Sequence, residues 1–128
     1  MTYYFSKTIT ATMDDAIERI TEALKAEGFG VLTEIDIKAT LKKKLGKDFR
    51  PYHILGACNP ELAFQALSAE DKIGTMLPCN VIVQDAGEGR IEVAAVDPAA
   101  SMQAVGNPEL GEIAKAVREK LKRVIHEL

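Results

Sequence analysis

"ILGACNPELAFQALSAEDKIGTMLPCNVIV", from Ile54 to Val83, contains the end of one strand, a long excursion and the start of another strand. The first strand spans Tyr52–Cys58 and the second Asn80–Gln84, each read from its apolar, β-branched run. Both cysteines of the chain lie here, each followed by asparagine: Cys58-Asn59 and Cys79-Asn80. Residues 59–78 suffice for a helical excursion, so the second strand is free to run either way. If it runs antiparallel, Cys58 and Cys79 meet at one sheet edge. If parallel, they sit roughly a strand length of 17–20 Å apart.

Working outward toward the N-terminus, Tyr3, Phe5 and Ile9 alternate with Tyr4, Ser6, Thr8 and Thr10, which predicts a half-buried first strand. Thr12 then caps a helix, with Asp15 at the acidic position of a capping box. Ala16, Ile17, Ile20, Ala23 and Leu24 form its apolar stripe, and Gly28 stops it. Phe29, Val31, Thr33, Ile35 and Ile37 alternate along a second strand, in which Asp36 reads as a solvent-facing carboxylate. The stretch "KATLKKKLGK" follows as a short helix and turn.

Toward the C-terminus, "DAGEGR" has the glycines of a hairpin, leading into a fifth strand, Arg90–Val96. The final helix begins at Pro108 and buries Leu110, Ile113, Ala114, Val117, Leu121, Val124, Ile125 and Leu128 on one face. The tetrapeptide Asn-Pro-Glu-Leu occurs at Asn59–Leu62 and again at Asn107–Leu110. Its flanks do not align, and helix-start chemistry accounts for it. Asn caps, Pro at the first helical position loses no useful N–H, and Glu suits the positive end of the dipole. Asp97-Pro98 is a third such start. The order strand, helix, strand, short helix, strand, short helix, strand, strand, long helix describes an α+β fold, one mainly antiparallel sheet with helices on one face.

The chain of 128 residues is long enough for a single domain, residues 1–128, with its own core. A composition of 47% hydrophobic and 27% charged residues is that of a globular protein. The net charge of −3 argues against nucleic acid as a partner. No apolar run approaches the roughly 18 residues of a membrane span, so no membrane partner is expected. The opening "MTYYFSKTIT" lacks the basic and apolar regions of a secretory leader. A cytoplasmic location is therefore expected, where thiols stay reduced and a structural disulfide is disfavoured.

"GFGVLTEIDIKATLKKKLG" (Gly28–Gly46), "PYHILGACNP" (Pro51–Pro60), "LPCNVIV" (Leu77–Val83) and "VDP" (Val96–Pro98) resemble the signature segments of domain of unknown function family 302, small bacterial and archaeal proteins. The resemblance covers nearly the whole chain. It implies a fold similar to the TATA-binding-protein-like group: β-α-β(4)-α, a curved antiparallel sheet and a long C-terminal helix. It also implies a homodimer, which the apolar span of so small a domain suits. It supplies no chemistry, and the DNA binding of that fold's namesake does not transfer with shape.

An antiparallel sheet, as the resemblance implies, brings Cys58 and Cys79 toward each other. Cys58, Asn59, Cys79 and Asn80, with Asp36 or His53 assisting, form the candidate thiol or small-ligand site. A cysteine just before a helix N-cap is placed where the helix favours a thiolate. The bland reading is that both thiols pack as small apolar side chains. No CxxC spacing supports a metal, and no Ser-His-Asp order, HExxH or GxGxxG is present, so neither metal nor cofactor is expected. Lys42, Lys43, Lys44 and Lys47, with Lys38 and Arg50 nearby, form a candidate anion patch, against which stands a plain solvated helix face. Three functions remain open: a dimeric binding or regulatory module, a thiol-dependent enzyme or sulfur relay using Cys58, and a structural interaction protein.

Overall fold

The excursion from Cys58 to Cys79 doubles back, and the sheet grows from that reversal. A computed structural model describes residues 2–128. The elements are β1 (Tyr4–Thr10), α1 (Met13–Ala26), β2 (Gly30–Asp36), α2 (Ile37–Leu45), β3 (Tyr52–Cys58) and α3 (Pro60–Ala69). A 3-10 helix (Asp71–Met76), β4 (Cys79–Gly87), β5 (Arg90–Val96), α4 (Pro98–Ser101), a second 3-10 turn (Gln103–Val105) and α5 (Pro108–His126) follow. The strands form one sheet in the order β1-β5-β4-β3-β2, and every neighbouring pair is antiparallel. Without α2, α3, α4 and the 3-10 segments, the order is β-α-β(4)-α.

Local chemistry explains where the helices begin. Thr12 Oγ1 accepts from the Asp15 N–H (3.1 Å), Asn59 Oδ1 from Leu62 (3.2 Å), Asp97 Oδ1 from Ala99 (3.0 Å) and Asn107 Oδ1 from Glu109 (3.0 Å). Each satisfies an amide that the first helical turn leaves free. The three prolines after Asn59, Asp97 and Asn107 occupy first helical positions, as expected. Gly28, at φ +87°, reverses the chain after α1 in a conformation that glycine adopts without a Cβ clash.

Two expectations for β2 change. The strand does not run on to Ile37: Asp36 ends it and caps α2, its Oδ1 accepting from the Ala39 N–H at 2.9 Å. Nor does the alternation persist. Val31 pairs with Ala57 but Thr33 pairs with Gly56, so Leu32 is an extra residue, a β-bulge. Past it, Thr33 and Ile35 share a face with Gly56 and Ile54, away from the core that Phe29 and Val31 enter. A one-residue shift exchanges the faces of everything beyond it.

Among the described residues, two hydrophobic clusters form the interior. The larger lies between the sheet (Leu55, Ala57, Val81, Val83, Ile91, Val93, Ala95) and Ile20 and Leu24 of α1 with Leu121 and Val124 of α5. The smaller joins Ala66 of α3, Ile73, Met102, and Leu110 and Ala114 of α5. Helix α5 thus spans both, its C-terminal half on the sheet and its N-terminal half on α3. Each fully buried Leu or Ile contributes roughly 1.5–3 kcal/mol.

Candidate functional site

The strand register decides which of the nominated residues meet. Ala57 stands opposite Cys79, so Cys58, the last residue of β3, lies one step from Cys79 across an antiparallel pair. Both thiols are free. Cys58, Asn59 and Cys79 line the same cavity, of about 310 Å³. The cavity lies where the two clusters fail to close on each other. Phe29, Ala57 and Val117 come from the larger, and Ala66, Met102 and Ala114 from the smaller.

Asn59 holds this corner in place. Its Oδ1 caps α3, while its Nδ2 donates to the Glu27 carbonyl oxygen at the end of α1 (3.4 Å). The Glu27 side chain in turn accepts from Arg123 on α5, 3.0 Å from Nη2, and that bond lowers the carboxyl pKa. The first turn of α3, the end of α1 and the C-terminal half of α5 are thereby tied around Cys58.

The two thiols differ in burial. Cys79 is 8% exposed, and burial, with a smaller contribution from the Cys58 charge, pushes its pKa up to about 11. It stays protonated near neutrality and is a poor nucleophile. Cys58 is half-buried and accessible from the cavity. One consequence concerns stability. The folded thiol keeps its proton after an unfolded one, titrating near 9, has lost it, so stability falls as pH rises from about 9 to about 11. The loss should reach roughly 2–3 kcal/mol, at 1.36 kcal/mol for each pKa unit. Urea unfolding from pH 8 to 11 should show this slope, and Cys79→Ala should flatten it. An equally steep slope in the variant places its origin elsewhere.

Asp36 and Asn80 do not join this corner. Asp36 pairs with His53 at the other end of β3, five residues from Cys58, or roughly 17 Å along the strand. His53 stands there too, its Nδ1 3.1 Å from Glu34 Oε2 but outside hydrogen-bond alignment. Asn80 is exposed and pairs with Gly56 on the sheet face away from the main core. That face carries Tyr4, Tyr52, Ile82, Ala94 and Val96 around a shallow groove, and a chain of bonds from Arg50 to Gln84 (2.8 Å) to Glu92 (2.9 Å).

The lysines of the candidate patch lie at, and just past, the C-terminal end of α2. Lys42, Lys43 and Lys44 occupy its last turn, where cations suit the carbonyl end of the dipole. Lys42 pairs with Asp48 (3.1 Å), Lys38 donates to the Phe49 carbonyl oxygen (2.9 Å), and Lys47 is exposed. Among the described residues no group of three or more His, Cys, Asp or Glu is placed to hold a metal ion. Nor is any described helix long and apolar enough to cross a membrane.

The sequence pointed to the cysteines but missed the rest of the wall. Leu62, Ala63, Ala66 and Leu67 of α3 line the cavity, as do Leu32 from the bulge and Met102 and Ile113 from beyond β5. One signal was present. In "PELAFQALSA" Glu61 is the only charge, so α3 is apolar nearly all round, yet only Ala66 is buried.

Comparison with known proteins adds lineage to this geometry. No curated protein matches the chain. A solved structure, the crystal structure of the uncharacterized conserved protein DUF302 from Bacillus stearothermophilus, is 31% identical, with 98% of each chain covered and a TM-score of 0.90. The model of the family described as "Domain of unknown function DUF302" matches residues 5–128. With the match running from the first strand through the last helix, this chain belongs to the DUF302 family.

Proposed function

We propose that the protein is a small binding or regulatory module, one domain acting as a dimer in the cytoplasm, whose ligand occupies the cavity beneath Cys58 and Cys79. The observation that carries this reading is the single cavity shared by Cys58, Asn59 and Cys79 at the reversal between β3 and β4. Its volume lies at the lower end of the range for small-molecule sites. A reducing compartment suits two free thiols. Cys58, accessible and next to a capped helix start, is the residue through which ligand or thiol chemistry would be felt.

Iodoacetamide tests the site. Cys58 should be labelled in the folded protein and Cys79 only after unfolding. If neither thiol reacts before unfolding, the site at Cys58 is lost and both cysteines are packing residues. The second reading, a thiol-dependent enzyme or sulfur relay, draws on the same asymmetry, since only Cys58 is suited to be the nucleophile. Cys58→Ser separates the two: retained ligand binding with lost turnover favours the enzyme.

The dimer draws support from the sheet face away from the main core, where Tyr4, Ile35, Tyr52, Ile54, Ile82, Ala94 and Val96 form an apolar field. A second copy is the occupant that suits it. Light scattering should give twice the monomer mass, and a monomer at working concentration overturns this part. The β-α-β(4)-α order supports kinship of fold with the TATA-binding-protein-like group, and a net charge of −3 speaks against its DNA binding. For the α2 lysines the solvated-face reading is preferred, because the helix end they occupy offers carbonyl oxygens to an anion rather than N–H groups.

A further inference from the structure

The cavity wall sorts its ligands by charge. Among the described residues that line it, only Asn59, Cys58 and Cys79 carry a side-chain hydrogen-bond donor. Both ends of the Asn59 amide are already engaged, by Leu62 and by the Glu27 carbonyl. No Lys, Arg, His, Asp or Glu is in the lining. A carboxylate, phosphate or ammonium entering here would shed its water and find no partner, a cost that apolar contacts do not offset. The raised pKa of Cys79 reports the same lack of solvation for charge at this wall.

Size and access narrow the class further. An apolar cavity of roughly 150 Å³ holds benzene, and this one is about 310 Å³. Small residues keep it open: Ala63, Ala66, Gly74 and Ala114 stand where larger side chains would fill it. A Cβ added at Gly74 would meet nothing nearer than Leu67 Cδ2 at 3.8 Å. Three of the lining residues are also exposed, Leu32 at 67%, Leu67 at 44% and Gly74 beside Leu67, so they mark the mouth. Leu32 is there because the β2 bulge turns it out of the ladder, one recurrent use of such bulges beside binding sites.

We infer that the ligand is an uncharged apolar molecule, a two-ring arene or a saturated chain of similar bulk, which enters between Leu32 of β2 and Leu67 of α3. Any neutral polar group it bears lies beside the two thiols. This rests on the binding reading above and adds the ligand class.

A matched pair of probes tests it: 2-naphthol, neutral at pH 7, against 2-naphthoate, with the same rings and a charge. Methyl NMR of the whole chain is the readout. 2-Naphthol should shift the methyl signals of Leu62, Leu67, Met102 and Ile113, and 2-naphthoate should bind at least tenfold more weakly. Ala63→Leu should reduce 2-naphthol affinity at least tenfold, and the milder Gly74→Ala should weaken it in the same direction should Ala63→Leu fail to fold. If 2-naphthoate binds as tightly through the same methyl groups, the ligand class is overturned and the site stands. If 2-naphthol shifts only open-face signals such as Ile82 and Val96, or none, the inference fails. Native labelling of Cys58 then says whether the site itself survives.

Discussion

Gly56→Ala should destabilise the protein by about 3 kcal/mol, the upper range for forcing extra volume into a packed site. Gly56 is buried in β3, hydrogen-bonded between β2 and β4, with Thr33 on one side and Asn80 on the other. A Cβ there would overlap Thr33 Oγ1 and stand 2.7 Å from Pro78 Cγ. The threonine sits on an edge strand and can yield, whereas the proline ring cannot rotate away. Melting should fall by roughly 10 °C for a domain of this size. Adding Thr33→Ala removes one of the two overlaps, so the double variant should recover about 1 kcal/mol in a mutant cycle. A single-variant loss below 1 kcal/mol by urea unfolding would mean that β2 moves aside freely, against the tight register described here.

The second large effect belongs to Asp97, at 6% exposure the one buried acid among the described residues. Its Oδ1 caps α4 through Ala99, and its Oδ2 accepts from Arg118 Nε (3.2 Å). Its backbone N–H donates to the Tyr3 carbonyl oxygen (2.8 Å), tying β5 to the approach of β1. Arg118 lies over the Phe5 ring, 5.2 Å from its centroid. Asp97→Ala removes a cap worth about 1 kcal/mol. It also leaves a largely buried guanidinium without its main counter-ion, which for a fully buried pair costs about 3–5 kcal/mol. Arg118 is one-third exposed and also meets Glu119 (3.0 Å), so a total near 3 kcal/mol is expected. Asp97→Asn keeps the cap and loses the charge, and should cost about half as much. No loss in Asp97→Asn would show that the ion pair contributes nothing, and equal losses in the two variants that the cap does not.

Much of this architecture was legible because its signals are local. Asn59, Asp97 and Asn107 announce helix starts through bonds that span two or three residues, and Gly28 and the Gly87–Gly89 turn need only their own backbone angles. The strands Tyr52–Cys58 and Arg90–Val96 carry their pattern on their face. What escaped was of two kinds. An extra residue at Leu32 changes no propensity but exchanges two faces of β2, and Asp36 reads as one more step of a strand until its bond to Ala39 shows it to be a cap. The cavity escaped for another reason. Its wall draws on strands, α3, the 3-10 helix and α5, and no window of sequence holds them together. Two cysteines pointed to its corner, while its chemistry is set by the alanines and leucines around them.

The extra residue at Leu32 has a bearing on solubility. Strand β2 ends the sheet, and a flat, regular ribbon with free amides is a template on which other chains add and fibrils grow. Breaking the ladder two residues from its start spoils that template. The same insertion that hangs a leucine at the doorway thus blunts the margin of the protein against self-assembly, and trimming it would be expected to close one and bare the other.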